Sequence, residues 1–450
     1  IRARITASTT EVMASRFQRF CLRTGPSPNV GPTLEVSVLR QNHTPTRLAA
    51  AIAITTATLT AAMATVGCRP AAMPWNRSDR GASGQGLEGA RGESSAKAGG
   101  RELVLGQSAP FSGPSAQLGR DYREGAMAWF AELNRRGGVH GRQLRLVSLD
   151  DRYEPALTLA NTRRLIGPDR AFILFGYVGT PTVKAVLPLL ARERIPLVAP
   201  LTGARLLREP FQPMVFNLRA SYQAEIDRIV NDLVHSGRHR IAVLHQEDAF
   251  GEDGLQATRS ALARHGLQPV AVAGVQRNST RTDAAAHQLN RADPSAVVII
   301  SAYPSSAAFS RSLQRLGSTA QLMNVSFVGT GGLQDDLPGG RASGIGISQV
   351  VPFPWDRRVP VVAEYQRLIR HQQRRARYGF TSLEGFLAAR WLGEALQRAG
   401  ANPSRQALVA AFESMNNVDL GGYRLKLGPR DHQASDFVDL TFLGSQRWGP

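Results

Sequence analysis

The sequence predicts an α/β protein made of two doubly wound parallel-sheet lobes, and three observations carry the prediction. Short apolar runs alternate with amphipathic stretches from about Arg101 onward, as expected where helices cover both faces of a parallel sheet. After Asn217 the alternation starts again with the same build. At 450 residues and 42% hydrophobic content, the chain can bury two cores of ordinary size.

In the first lobe, Leu103–Gln107 reads as a strand, Asp121–Arg136 as a helix stopped by Gly137-Gly138, and Gln143–Leu149 as a strand of alternating polarity. A helix over Pro155–Ile166, a buried strand over Ala171–Gly176, a helix over Pro181–Glu193 and a strand over Pro196–Ala199 complete it. The second lobe starts with helix Tyr222–Ser236 and continues with strand Ile241–His245, helix Gly254–His265 and strand Pro269–Val275. Helix Thr282–Asn290, strand Ala296–Ser301, helix Ser305–Leu316 and strand Val325–Gly329 follow. Three further helices, over Val359–Gln373, Ser382–Ala399 and Ser404–Ser414, indicate that the chain returns after the second lobe, and Tyr423–Leu427 with Phe437–Phe442 reads as a closing strand pair.

The formal charge of +19 raises nucleic acid as a partner. The basic residues, however, are scattered arginines on helical segments, such as Arg163, Arg164, Arg192 and Arg194, without interleaved aromatics. That pattern describes a solvated helical surface and no nucleic-acid track. The two cysteines, Cys21 and Cys68, precede the folded part, and the nine histidines, among them His140, His235, His239, His245 and His287, are spread as singletons. Neither a metal site nor a cofactor is expected.

Leu48–Gly67 carries no charge, follows Arg47 and has an apolar centre, the profile of an export signal. A membrane anchor fits less well, because the run is rich in Ala and Thr and only weakly apolar for its length. Two outcomes are open at its exit. Ala62-Met63-Ala64 fits cleavage to a soluble protein, while Gly67-Cys68 resembles a lipoprotein signal end that would lipidate Cys68, although Thr65 stands where such signals usually have Leu. Either places the mature protein outside the cytoplasm. Residues before Arg47 would then precede the signal, as if translation began downstream of Ile1. The expected organisation is an extension plus signal over 1–68 and a flexible Gly/Ser/Ala/Pro-rich linker over 69–100.

Open parallel sheets bind ligands beyond the carboxyl ends of their strands. The first such loop, Ser108–Gly119, is small and hydroxylated, with Ser112 and Ser115 as candidate contacts or members of a plain turn. The loop GYVGTPT, Gly176–Thr182, offers Tyr177 and Thr180; Thr180 reads as the cap of a helix whose first turn begins at Pro181 and could face a ligand carboxylate, or it caps and does nothing more. APLTGA, Ala199–Ala204, again carries small residues and a hydroxyl. From the opposite lobe, Phe250 and Tyr303 supply aromatic faces or rim packing. Enzymatic patterns are weak: there is no GxSxG elbow and no P-loop, and VGTGGLQ, Val328–Gln334, lacks the last glycine of a dinucleotide fingerprint. The pairs Asp150-Asp151 and Asp335-Asp336 fall at predicted strand ends, where neighbouring side chains point apart and commonly cap turns.

These residues resemble a family. LNRRGGVHGRQLRLVSLDD, Leu133–Asp151, looks like an Asn-x-x-Gly-Gly-x-x-Gly segment of type I periplasmic binding proteins of ABC transporters, in the Leu/Ile/Val-binding branch, and ILFGYVGTPT and GFTSLEG are similar to further stretches of it. The resemblance runs from about Arg101 to the C-terminus and implies a Venus-flytrap fold with three hinge crossings. Lobe 1 would comprise residues 101–219 and 351–418, and lobe 2 residues 220–350 and 419–450. Carried over by the resemblance, anchors for a ligand carboxylate match Thr180, the Leu201 backbone and Gly203, with Thr202 between them, and the second-lobe aromatics match Phe250 and Tyr303. Where amino-acid binders have an acidic residue for the ligand ammonium, this chain has GTGG, with Gly332 nearest that position and Glu247, Asp335 and Asp336 as the acids that could substitute. The implied function is extracytoplasmic capture of an amino acid, or of an amino-acid-like carboxylate or amide, by a monomer that delivers it to ABC permease subunits. A ligand sensor on the same fold and, from another class, an α/β hydrolase are the competing readings.

Overall fold

The computed structural model describes residues 102–372 and 377–444; the expected export signal, the Cys68 lipidation site and the linker lie outside the described residues. The first sheet is built by β1 (Glu102–Ala109), β2 (Gln143–Asp150), β3 (Ile173–Phe175), β4 (Leu197–Val198) and β5 (Val215–Phe216), all parallel, in the order β2-β1-β3-β4-β5. From Leu105 onward β1 is buried on both faces, which is why its apolar run shows little alternation. Connecting the strands are α1 (Ala116–Arg135), α2 (Pro155–Ile166) and α3 (Thr180–Glu193).

The chain then crosses over Asn217–Ser221 to α4 (Tyr222–His235), whose Ser221 cap accepts from the Ala224 amide at 3.2 Å. The second sheet holds β6 (Ile241–Gln246), β7 (Val272–Val275), β8 (Ala296–Ile300), β9 (Gln321–Asn324) and β10 (Gly346–Gln349). Its fully buried centre is β8, AVVII. Covering helices are α5 (Ala249–Ala263), α6 (Asp283–Asn290), α7 (Tyr303–Arg315) and the short α8 (Thr330–Asp336). After β10 the chain returns to the first lobe with α9 (Pro360–Gln372), α10 (Phe380–Arg398) and α11 (Arg405–Glu413). A small antiparallel pair, β11 (Asn416–Asp419) and β12 (Arg424–Lys426), precedes the last crossing to β13 (Asp439–Phe442), which pairs antiparallel with β10 at the edge of the second sheet.

Both lobes are thus doubly wound and joined by three crossings. The return is fixed by close packing of α10 on α1. A Cβ on Gly125 would sit 1.7 Å from the Ser382 carbonyl oxygen, and one on Gly385 would sit 2.0 Å from that of Tyr122. The first crossing carries a buried ion pair, Arg219 to Glu384 at 3.0 Å, with Arg219 also donating to the Ser326 hydroxyl at 2.7 Å. Glu225 accepts from the Ser326 amide at 2.8 Å and the Ser348 hydroxyl at 2.6 Å. Burial pushes the Glu384 carboxyl up to about 7 against the pull of Arg219, while the carboxylates around Arg219 hold its guanidinium protonated.

Several local expectations change. Register with β8 ends β9 at Asn324; Ser326–Val328 then forms a single 3-10 turn and Gly329, at φ +78°, starts α8. Val325–Gly329 is therefore no strand, and Asp335-Asp336 end a helix. Tyr423–Leu427 and Phe437–Phe442 do not pair with each other: β12 takes β11 as partner and β13 takes β10. Thr180 does not cap α3. Gly179, at φ +96°, holds the cap position and Thr180 is the first helical residue.

Candidate functional site

The strand-end loops of the two lobes face each other and are in contact. After β2, the chain turns sharply through Arg152 (φ +52°) and Tyr153 (φ +64°), which throws the Tyr153 ring into the interlobe space. Asp151 holds this turn, accepting from the Tyr153 amide at 2.9 Å, Ser108 at 2.8 Å and Thr158 at 3.0 Å. Burial pushes its carboxyl up to about 6 despite those donors. Asp150 organises the loop after β1, accepting from the amides of Phe111, Ser112 and Arg152 and from the Ser112 hydroxyl. The first acidic pair thus builds turns, and Ser112 is engaged in one.

Tyr153 is fully buried and lies against Gly179, where a Cβ would come within 2.1 Å of its ring. Only glycine suits that position, because its φ is positive and its space is taken. Across the seam Tyr153 meets Phe327 at 5.8 Å, Phe327 meets Phe250 at 4.7 Å, and Phe250 meets Tyr222 at 5.1 Å. The Tyr222 ring returns to the first lobe over Gly203, with its amide donating to the Gly203 carbonyl at 2.8 Å. This arc of four rings begins at Gly179 and ends at Gly203. On the same two loops, the Thr180 and Thr202 hydroxyls are 2.7 Å apart and fully buried.

Leu201 lies in this wall, but its amide donates to the Tyr177 carbonyl at 2.7 Å and its carbonyl accepts from Gly179 at 3.1 Å, so both backbone groups are spent in a bridge between loops. The Tyr177 side chain turns away into a separate apolar cluster with Val183 and Leu190, its hydroxyl 2.9 Å from that of Thr162.

A second group runs along the seam. The Ser115 hydroxyl donates to Asn278 at 2.9 Å, and the Tyr303 hydroxyl donates to the Pro114 carbonyl at 2.5 Å and accepts from the Gln117 amide at 3.4 Å. Gly332 is the seat of the Tyr303 ring, 2.6 Å from where a Cβ would stand. Arg277 also joins the lobes, binding Glu154 at 2.7 Å and Asp248 at 3.3 Å with its guanidinium 5.9 Å from the Tyr153 ring centre. Two of the acids that could replace the one absent at Gly332 stay near the Tyr303 group: Asp335 accepts from the Gln117 side chain across the seam at 3.4 Å, and the charge of Asp336 acts on the Tyr303 hydroxyl. Glu247 lies over Gly274, Asp335 pairs with Arg377 at 3.4 Å, and Asp336 ends α8 beside Arg311.

The structure therefore brings Thr180, Thr202, Gly203 and Phe250 into one arc, gathers Ser115, Tyr303 and Gly332 on the seam, and leaves Ser112 and Tyr177 outside both groups. Tyr153, Tyr222, Gln246, Arg277 and Phe327 escaped sequence reading. Tyr153, two residues past an acidic pair at a strand end, carried the one usable signal. Among the described residues, no group of three or more His, Cys, Asp or Glu could hold a metal ion, and no helix is long and apolar enough to cross a membrane.

The periplasmic binding protein family profile matches residues 102–441. A solved structure of a possible leucine/isoleucine/valine-binding protein from Rhodopirellula baltica SH 1 is similar at 33% identity and a TM-score of 0.73, covering 79% of this chain and 96% of that one. A substrate-binding periplasmic protein from Ralstonia solanacearum is similar at 33% identity and a TM-score of 0.73, covering 76% and 98%. An amino acid binding protein of Pseudomonas aeruginosa is 25% identical over 227 residues, which span 50% of this chain and 60% of that protein. The chain thus spans about three-fifths of that curated relative. With the two-lobed fold, the three crossings and a family match from β1 into β13, this chain belongs to the type I periplasmic binding proteins, a family of solute binders and not of enzymes, in the branch of the Leu/Ile/Val-binding proteins.

Proposed function

We propose that the protein captures a small carboxylate or amide of amino-acid size outside the cytoplasm and delivers it to the permease subunits of an ABC importer. The carrying observation is the buried Thr180–Thr202 hydroxyl pair, held between the rings of Tyr153 and Tyr222 and faced by Phe327 and Phe250 of the opposite lobe. A few polar anchors within aromatic walls describe a small-molecule site. The hydroxyls are the anchors for the ligand carboxylate or amide, and Tyr303 and Ser115 close the seam over it.

In this reading the lobes, residues 101–219 with 351–418 and 220–350 with 419–450, move about the three crossings, the first of which is held by the pair of Arg219 with Glu384 of α10. The closed form is the one presented to the permease by a monomer. The names of the similar proteins, leucine/isoleucine/valine-binding and amino acid binding, support the ligand size. Export through the 48–67 segment, with release after Ala64 or anchoring at Cys68, belongs to the same reading.

A thermal-shift screen against amino acids, aliphatic amides, aromatic acids and dicarboxylates tests it, because a ligand that binds only the native state raises the midpoint. The expected result is a shift with one class, lost in Thr180→Val and Thr202→Val. Ligand binding left unchanged by both substitutions would refute the site.

A further inference from the structure

We infer that Gln246 selects the ligand, admitting a carboxylate whose second polar group is a neutral donor, a hydroxyl or an amide N–H, in preference to an amino acid with its ammonium. The inference rests on the solute-binding reading above and specifies what that cleft accepts.

Gln246 is the last residue of β6, fully buried, and points across the seam. Its amide nitrogen donates to the Asp248 carboxylate at 2.6 Å and to the Tyr153 hydroxyl at 3.3 Å. A carboxylate accepts only, so Asp248 fixes which end of the amide is nitrogen. The other end, Oε1, is a buried acceptor with no hydrogen-bond partner among the described residues. Buried acceptors are normally paired, and one left over at the interlobe face, beside the ring that lies on Gly179, calls for a donor brought by the ligand.

The surrounding charges decide what kind of donor. Asp248 is the nearest acid, and it is committed four times over: it accepts from the Phe250 and Gly251 amides and from Gln246, and it pairs with Arg277. Glu154 is occupied by Arg277 and Asn278. The Arg277 guanidinium bridges both acids, so each already has its cation. An ammonium desolvated there would have only an amide dipole as its direct partner, because the lone pairs of Asp248 are already taken, whereas a hydroxyl or amide N–H is satisfied by Gln246 Oε1 alone.

Calorimetry and thermal shift on the full chain with a matched set test this: leucine, 2-hydroxy-4-methylpentanoate, N-formyl-leucine, trimethylated leucine and unsubstituted 4-methylpentanoate. The expected result is at least tenfold tighter binding of the hydroxy acid or the formyl amide than of leucine and of the unsubstituted acid. In Gln246→Leu the advantage over the unsubstituted acid disappears, and in Gln246→Glu the preference moves toward leucine. Leucine or its trimethylated form binding as tightly as the neutral donors overturns the inference and leaves the solute-binding cleft standing. A tenfold preference that persists in Gln246→Leu overturns the role of Gln246. Absence of binding by every member of the set overturns the inference together with the carboxylate reading. Should Gln246→Leu fail to fold, the wild-type ratio and Gln246→Glu decide.

Discussion

Gly179→Ala is the sharpest probe of how the cleft is built. Gly179 has φ +96° and ψ 151°, a region open essentially to glycine alone, and the added methyl would stand 2.1 Å from the Tyr153 ring. Two costs follow. Holding Ala in that conformation costs about 1–3 kcal/mol. Moving Tyr153 out of its buried seat forfeits most of the burial of one large side chain, about 2 kcal/mol. The sum, about 3–5 kcal/mol, is a large part of the 5–15 kcal/mol that stabilises a typical domain.

The two contributions separate in a double-mutant cycle with Tyr153→Ala, read by urea unfolding. With the ring already gone, Gly179→Ala retains only the backbone cost, so a coupling of about 2 kcal/mol is expected. Strict additivity, or a cost below about 1 kcal/mol in the wild-type background, would show that Tyr153 does not occupy that seat.

Three further outcomes follow from the same geometry. Arg219→Met should destabilise by about 3–5 kcal/mol by leaving Glu384 buried without its partner, and Arg219→Met with Glu384→Leu should recover most of that loss, both by urea titration. Thr202→Val should cost about 1–3 kcal/mol, since the Thr180 hydroxyl loses its 2.7 Å partner in a buried site; near-neutral behaviour in the same titration would count against that pairing. Stability should fall as pH rises from about 4 to 7, because Asp151, Asp121 and Glu384 are raised by burial to about 6, about 7 and about 7. The native state holds these protons after the unfolded chain has released them, so this stabilisation is complete below the unfolded pKa and is lost as pH passes the folded one. Asp151→Asn should flatten the slope by up to roughly 3 kcal/mol across that window, and an unchanged midpoint-versus-pH curve would contradict the assignment.

The strong periodic elements were legible in the sequence because their physics is local. β1, β3, β6 and β8 are buried runs and α1, α4 and α10 are long helices with clear stops, so both lobes and the returning chain could be read. β4, only two residues long, was legible within the run Pro196–Ala199, whereas the two-residue β5 and the polar β10 and β11 carry too little pattern to register, and pairing with neighbouring strands defines them. Site residues divide the same way. Thr180, Thr202 and Gly203 lie in strand-end loops that topology marks out in advance. Tyr153 and Phe327 reach the seam through left-handed turns and a 3-10 turn, and Tyr177 leaves it for the separate apolar cluster where its hydroxyl meets Thr162. Which way such a side chain points depends on neighbours far away in the chain.

The late pairing of β13 with β10 and the late packing of α10 on α1 constrain how the chain is made. At the ribosome, the first sheet emerges long before residue 380 supplies the helix that covers α1, and the second remains open at β10 until residue 442 appears. The packing of each lobe is completed only when these later segments are available, and the β10 edge stays unpaired until β13 reaches it.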